Sequence, residues 1–126
     1  MTNSRDKGKQ GERELAKILT ALLGVDCRRG QQYSGIEGKD VVGIDRLHIE
    51  CKRVQRLNLT DAYNQAQRDA DETDIPVVCH RKNNEPWMIT FALSELLDVM
   101  TVIDDVRLEN WMARKNQSIE DAKDSE

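Results

Sequence analysis

Residues 40–54 read DVVGIDRLHIECKRV, and this stretch decides the fold of the chain. A β-branched run at 41–44 is followed by an apolar series with partial alternation at 47–54, which is typical of two strands. Gly43 and Asp45 lie between the two runs and are common turn residues. The stretch therefore predicts two neighbouring strands that form a β-hairpin.

The second strand of this hairpin presents a polar face. Successive side chains of a strand point to opposite faces, so His48, Glu50 and Lys52 share one face. A connection with an odd number of residues would pair positions whose numbers sum to 90, which places Asp40 across from Glu50 on that face. An even connection would turn Asp40 away, and the sequence leaves this register open. Two carboxylates this close repel each other, and a bound divalent cation would keep both ionised.

Helical and extended patterns surround the hairpin. Apolar residues recur with helical spacing over 11–23, where Gly24 ends the helix, and again over 59–70, where Asn58 or Thr60 is available as the N-cap. The remaining expected elements are a short strand at 25–29, a glycine-containing loop at 30–39, strands at 75–79 and 87–91, and helices at 93–100 and 106–113. This order predicts an α/β domain with a mixed central sheet over residues 1–115 and a polar, flexible tail at 116–126.

The composition is that of one polar globular domain. The chain has 126 residues, of which 38% are apolar and 33% are charged. The first seven residues lack the apolar stretch of a secretory signal, and no run approaches the roughly 20 apolar residues that cross a bilayer. The three cysteines, at 27, 51 and 79, match the spacing of neither a disulfide scaffold nor a zinc site. We therefore expect a soluble, reduced, cytoplasmic protein without a membrane partner.

The net charge of −4 is unevenly distributed. Residues 1–56 carry twelve basic and eight acidic side chains, whereas residues 57–126 carry seven basic and fifteen acidic ones. A basic front half is a reason to look for a polyanion site there. Chance segregation with a solvated acidic tail also explains the asymmetry.

Asp40, nine intervening residues and then Glu50-Cys51-Lys52 resemble the signature of the PD-(D/E)xK nuclease superfamily. Within it, the likeness is to archaeal-type Holliday junction resolvases and to small phage-encoded endonucleases related to them. The matching features also include Lys7-Gly8, Gly11-Glu12-Arg13-Glu14-Leu15, the Arg28-Arg29 pair and a glutamine-bearing helix after the strand. The resemblance covers roughly residues 7–91, and Lys39 stands where the family often has a proline.

The resemblance implies a restriction-endonuclease-like core, with the order α-β-β-β-α-β-β and an extra C-terminal helix. It implies that Asp40, Glu50 and the backbone carbonyl of Cys51 bind Mg²⁺, for which Mn²⁺ is expected to substitute. Lys52 would orient the attacking water or stabilise developing charge. Glu12 lies inside the apolar stripe of the first helix, where a carboxylate needs a partner or interacts with the helix dipole. The resemblance assigns Glu12 to the active site.

A glutamine of the helix at 59–70 is the last candidate for the site. Gln67 lies beside Tyr63 at the edge of the apolar stripe and Gln65 points further away, so Gln67 is preferred, with a merely solvated glutamine as the alternative. His48 and His80 receive no role, because neither has a partner at ligand spacing. The basic residues expected to contact DNA, by guanidinium or ammonium contacts to phosphate, are Arg13, Arg28, Arg29 and Lys39.

Together, these residues predict a Mg²⁺-dependent DNA endonuclease that is selective for branched DNA. Resolution of a four-way junction takes two symmetric cuts, so a homodimer is expected. A phage origin, with action in the host cytoplasm, fits the same resemblance. The alternatives are a related nuclease that acts on duplex DNA, ends or nicks, a catalytically silent DNA-binding or assembly protein with this fold, and an interaction domain in which the motif is accidental.

Overall fold

The predicted hairpin forms with the register that places Asp40 opposite Glu50. In the computed structural model, which describes residues 4–30 and 38–124, the strands Val41–Val42 and Leu47–Arg53 are antiparallel and Val41 pairs with Ile49. Paired numbers therefore sum to 90, as expected for an odd connection. Gly43 has a φ of 124°, and a Cβ there would lie 2.5 Å from the carbonyl oxygen of Asp26, so this turn requires glycine.

The hairpin forms part of a five-stranded mixed sheet. The elements, in chain order, are α1 Ser4–Leu23, β1 Arg28–Arg29, β2 Val41–Val42, β3 Leu47–Arg53, α2 Leu59–Asp69, β4 Ile75–Arg81, β5 Met88–Thr90, a 3₁₀ turn Leu93–Glu95 and α3 Leu96–Asp124. Strand order in the sheet follows chain order. The strands β3 and β4 are parallel, and α2 forms the crossover between them, whereas the other neighbours are antiparallel. The α/β class, the mixed sheet and the restriction-endonuclease-like order are thus confirmed.

Helices cover both faces of the sheet. On one face, α1 and α3 pack on a core that includes Leu15, Ile49, Val77 and Val102. On the other face, α2 packs on Val78 through two small residues, Ala62 and Ala66, which allow it to lie close to the strands. The polar residues of β3 lie on this second face, beside α2.

The helices extend further than the sequence predicts. The first begins at Ser4 rather than Gly11. The two helices expected at 93–100 and 106–113 are one continuous helix, α3, because residues 101–105 contain no glycine or proline to interrupt it. Residues 116–124, expected as a flexible tail, form the end of this helix with exposed side chains. Most of the loop predicted at 30–39 lies outside the described residues. No helix in the described ranges has the length and apolar character needed to span a membrane.

Candidate active site

Asp40 and Glu50 meet at the start of β2. Both carboxylates are buried, with only 8% and 4% of each residue exposed. One oxygen of Asp40 accepts a hydrogen bond from the backbone N–H of Cys51 at 2.8 Å. The carboxyl groups of Asp40 and Glu50 lie close enough to alter each other's pKa. Two carboxylates in such proximity repel each other, which disfavours the state in which both are ionised.

The environments of the two acids decide which one holds the proton. Burial raises the pKa of Asp40, the Cys51 N–H bond lowers it, and the charges of Glu50 and Glu12 raise it, which together bring it to about 7. Burial also acts to raise the pKa of Glu50, but its hydrogen bonds with His48 and Asp40 and the nearby Lys52 ammonium outweigh this effect and lower that pKa. Glu50 is thus the ionised partner, and Asp40 holds the proton up to near-neutral pH.

Lys52 lies beside the two acids, on the same face of β3. Its Nζ donates a hydrogen bond to Oε1 of Gln65 at 3.3 Å, which ties the ammonium to α2. The preference for Gln67 does not agree with the structure, where Gln67 is exposed. The two glutamines flank the buried alanines of α2 on opposite sides, and the edge with Gln65 faces β3. The packing of α2 on the sheet decides which glutamine faces β3, and the apolar stripe of the helix alone does not reveal that orientation.

Glu12 reaches the site from α1. Its side chain is 17% exposed and forms an ion pair with Arg29, with Oε2 2.5 Å from Nε. The charge of Glu12 is one of the causes that raise the pKa of Asp40. A close approach of α1 to β3 makes this reach feasible, because a Cβ on the buried Gly11 would lie 2.9 Å from Cβ of Arg53.

The four basic residues expected to contact DNA differ in their surroundings. Arg13 and Arg28 are exposed. Arg29 is half-buried and paired with Glu12, so its guanidinium already has an acidic partner. Lys39 forms an ion pair with Asp74, with 3.1 Å between Nζ and Oδ2. The surfaces of Arg13 and Arg28 are thus open to a phosphate, while Arg29 and Lys39 would have to exchange partners.

His48 belongs to the site, although sequence reasoning gave it no role. Nε2 of this buried histidine lies 2.9 Å from Oε1 of Glu50. Asp69, the last residue of α2, adds a carboxylate, and one ligand atom from each of the three residues lies within 4.8 Å of the other two. In the sequence, the role of His48 is indicated by its position two residues before Glu50, which puts both side chains on one strand face. The partner on α2 could not be read from spacing.

A polar groove of about 570 Å³ opens beside Lys52 and Gln65. The loop after β3 and the outer side of α2 line it, and they contribute the exposed guanidinium groups of Arg56 and Arg68. Sequence reasoning missed these two arginines, because they lie beyond the strand and outside the basic cluster before Asp40. The groove combines positive charge with direct access to Lys52.

Comparison with known proteins gives one result for nearly the whole chain. A family model described as "Phage putative PDDEXK endonuclease" matches residues 3–125. No curated protein and no solved structure matches the chain.

Proposed function

Because this chain belongs to the phage putative PDDEXK endonuclease family, we propose that it hydrolyses phosphodiester bonds of DNA at the site formed by Asp40, Glu50 and Lys52. The resemblance to the PD-(D/E)xK superfamily is confirmed by the family match. The observation that carries the proposal is the contact between the two buried acids, beside an ammonium group, at the strand positions of the signature. A surface ion pair on an exposed strand would not be buried in this way.

The donor set fits Mg²⁺. Asp40 and Glu50 offer hard oxygen ligands, and the raised pKa of Asp40 shows that the metal-free site disfavours two charges, so a bound cation would favour the state in which both are ionised. These two carboxylates and the carbonyl of Cys51 would hold the ion, with Glu12 close by, and Mn²⁺ would substitute. When bound, a divalent cation neutralises the acids and polarises the scissile phosphate.

The other residues act on the water and the phosphate. Lys52 orients the attacking water or stabilises charge on the phosphate oxygens as the bond breaks. Gln65 holds the Lys52 ammonium in place through its 3.3 Å hydrogen bond. His48 bonds Oε1 of Glu50 at 2.9 Å and so fixes the orientation of that carboxylate. Charge stabilisation and positioning thus come from side chains anchored on β3 and α2.

The groove next to Lys52 supports a DNA backbone as the ligand. Arg56 and Arg68 are exposed there, and guanidinium groups bind two phosphate oxygens at once. Arg13 and Arg28 offer further contacts. We propose branched DNA as the substrate from the resemblance to junction resolvases, with a homodimer that makes two symmetric cuts in the host cytoplasm.

A cleavage assay tests this proposal. Four-way junction, nicked, linear duplex and single-stranded DNA are incubated with the wild type and with Asp40→Asn, in Mg²⁺, Mn²⁺ or chelator. We expect the wild type to cut the junction about tenfold or more faster than linear duplex. No cutting is expected in chelator or by the variant.

Each other outcome has a definite meaning. Equal rates on junction and linear duplex would contradict the junction selectivity and favour a nuclease of broader substrate range. DNA binding without cleavage in either cation would contradict the enzyme assignment and favour the silent DNA-binding protein.

A further inference from the structure

The helix α3 (Leu96–Asp124) is apolar on two opposite sides. One side buries Val99, Val102 and Val106 against the sheet. The other side carries large apolar side chains that are each more than half exposed. These are Leu97, Met100, Leu108, Trp111, Met112 and Ile119. At 100° per residue, they fall within an arc of about 120°, which we call the outer stripe.

The second half of α3 has few contacts with its own domain, and the side chain of Arg114, which lies close to Gly24, makes one of them. From Trp111 to Asp124, every side chain is exposed. In proteins most helical stability comes from the packing of an apolar face rather than from helix propensity, so these turns gain little stability from their own domain. A partner along the outer stripe would supply the packing that the domain does not.

We propose that the outer stripe binds a second copy of this chain, with the two α3 helices antiparallel. Asp104 and Lys115 are the two charged residues inside the stripe, and their charges are opposite. An antiparallel pair whose residue numbers sum to 219 places Asp104 against Lys115 twice. The same register places Leu108 against Trp111 at its centre. A parallel pair would instead set Asp104 against Asp104.

The size and charge of the stripe favour this occupant. The stripe is roughly 35 Å long and about one helix wide, an area on the order of 350 Å² on each copy, and the largest apolar patches on protein surfaces, which are often functional, are of this size. The helix has seven acidic and four basic residues, so it would repel a DNA backbone or an anionic membrane. A self-complementary stripe generates a closed two-fold dimer.

The pairing of the outer stripes would be the interface of the homodimer proposed above. The experiment that tests this pairing uses neither DNA nor a cleavage assay. The full-length chain is studied by sedimentation velocity over micromolar concentrations, as wild type, Asp104→Lys, Lys115→Asp and a mixture of the two variants. Glu109→Lys is the matched control, because it reverses an exposed charge on α3 outside the stripe. Thermal melting shows that each variant folds.

We expect a wild-type dimer that Glu109→Lys leaves unchanged. Each stripe variant alone should weaken dimerisation about tenfold or more, because like charges then face each other. Mixing the two variants should restore the dimer as a heterodimer, because both charge pairs become attractive again. A monomeric wild type, single variants that dimerise as the wild type does, or a mixture that stays monomeric would each overturn the proposal. A wild type that forms this dimer but cuts no DNA in the separate cleavage assay would contradict only the proposed function.

Discussion

At the scale of single residues, the burial of Asp40 opposes its ionisation. Asp40 is buried next to Glu50, and its pKa of about 7 means that the folded protein retains a proton that the unfolded chain releases at lower pH. The folded state therefore binds more protons, and the contribution of Asp40 to stability falls as pH rises from about 4 to about 7. The lowered pKa of Glu50 acts in the opposite sense, since its contribution is lost as pH falls. Without a cation, the burial of Asp40 therefore lowers the stability of the folded protein at neutral and higher pH.

Asp40→Asn should therefore stabilise the metal-free protein. Asparagine removes the charge but keeps an oxygen that accepts the Cys51 N–H bond. In chelator at about pH 8, we expect a gain on the order of 1–3 kcal/mol, or roughly 3–10 °C in Tm, and a smaller gain at about pH 5, where Asp40 is already protonated. Melting curves with added Mg²⁺ complete the measurement. The wild-type Tm should rise while that of the variant stays, and a variant that melts below the wild type at about pH 8 would contradict this reading.

The two glutamines of α2, Gln65 and Gln67, provide a test variant and its control. Gln65→Ala removes the acceptor that holds the Lys52 ammonium, so the cleavage rate should fall about tenfold or more, with a smaller change in DNA affinity. Gln67→Ala alters an exposed residue on the other side of the helix and should leave the rate unchanged. Single-turnover cleavage of both variants checks this, and equal effects would show that the bond from Lys52 to Gln65 has no role in positioning.

At the scale of elements, the hairpin shows how far the sequence alone reaches. The alternation of β3 predicts that Glu50 and Lys52 share a face, but it leaves open whether Asp40 joins them. The pairing of Val41 with Ile49 decides for the odd connection, which sets Asp40 opposite Glu50. The stripe of α2 predicts the helix but not its rotation toward β3, so it favours Gln67, whereas in the structure Lys52 donates to Gln65. For the same reason, the sequence does not show that Asp69 of α2 lies near His48. Tertiary packing decides both, and a single sequence does not record it.

The strand β1 and the groove beside α2 are rival surfaces for DNA. Arg56→Ala/Arg68→Ala removes two exposed guanidinium groups, so the slope of log affinity against log salt should decrease by about 2. Arg28→Ala/Arg29→Ala should change it by only about 1, since Arg29 is paired with Glu12. Salt titrations of DNA binding by both double variants compare the two surfaces. A larger effect for the Arg28/Arg29 variant would place the DNA at β1 instead.

At the scale of the whole molecule, the two faces of the sheet differ in charge and accessibility. The helix α2 and its arginine-lined groove lie on one face, and the acidic α3 packs on the other. The uneven charge along the sequence is a partial signal of this division, although Arg68 belongs to the acidic half and still lines the groove. Because DNA and the second copy would use opposite faces, both could bind at once.

The central claim is that Lys52, beside Asp40 and Glu50, acts directly in DNA cleavage. The most direct test is the single-turnover cleavage rate of Lys52→Ala in Mg²⁺, with thermal melting and DNA affinity measured on the same preparation. Lys52 is only partly buried, so the variant should melt close to the wild type and still bind DNA. We expect its cleavage rate to fall by about 10²-fold or more, the size of effect seen when a charge-stabilising group is removed. A folded Lys52→Ala protein that cuts DNA at the wild-type rate would contradict the claim.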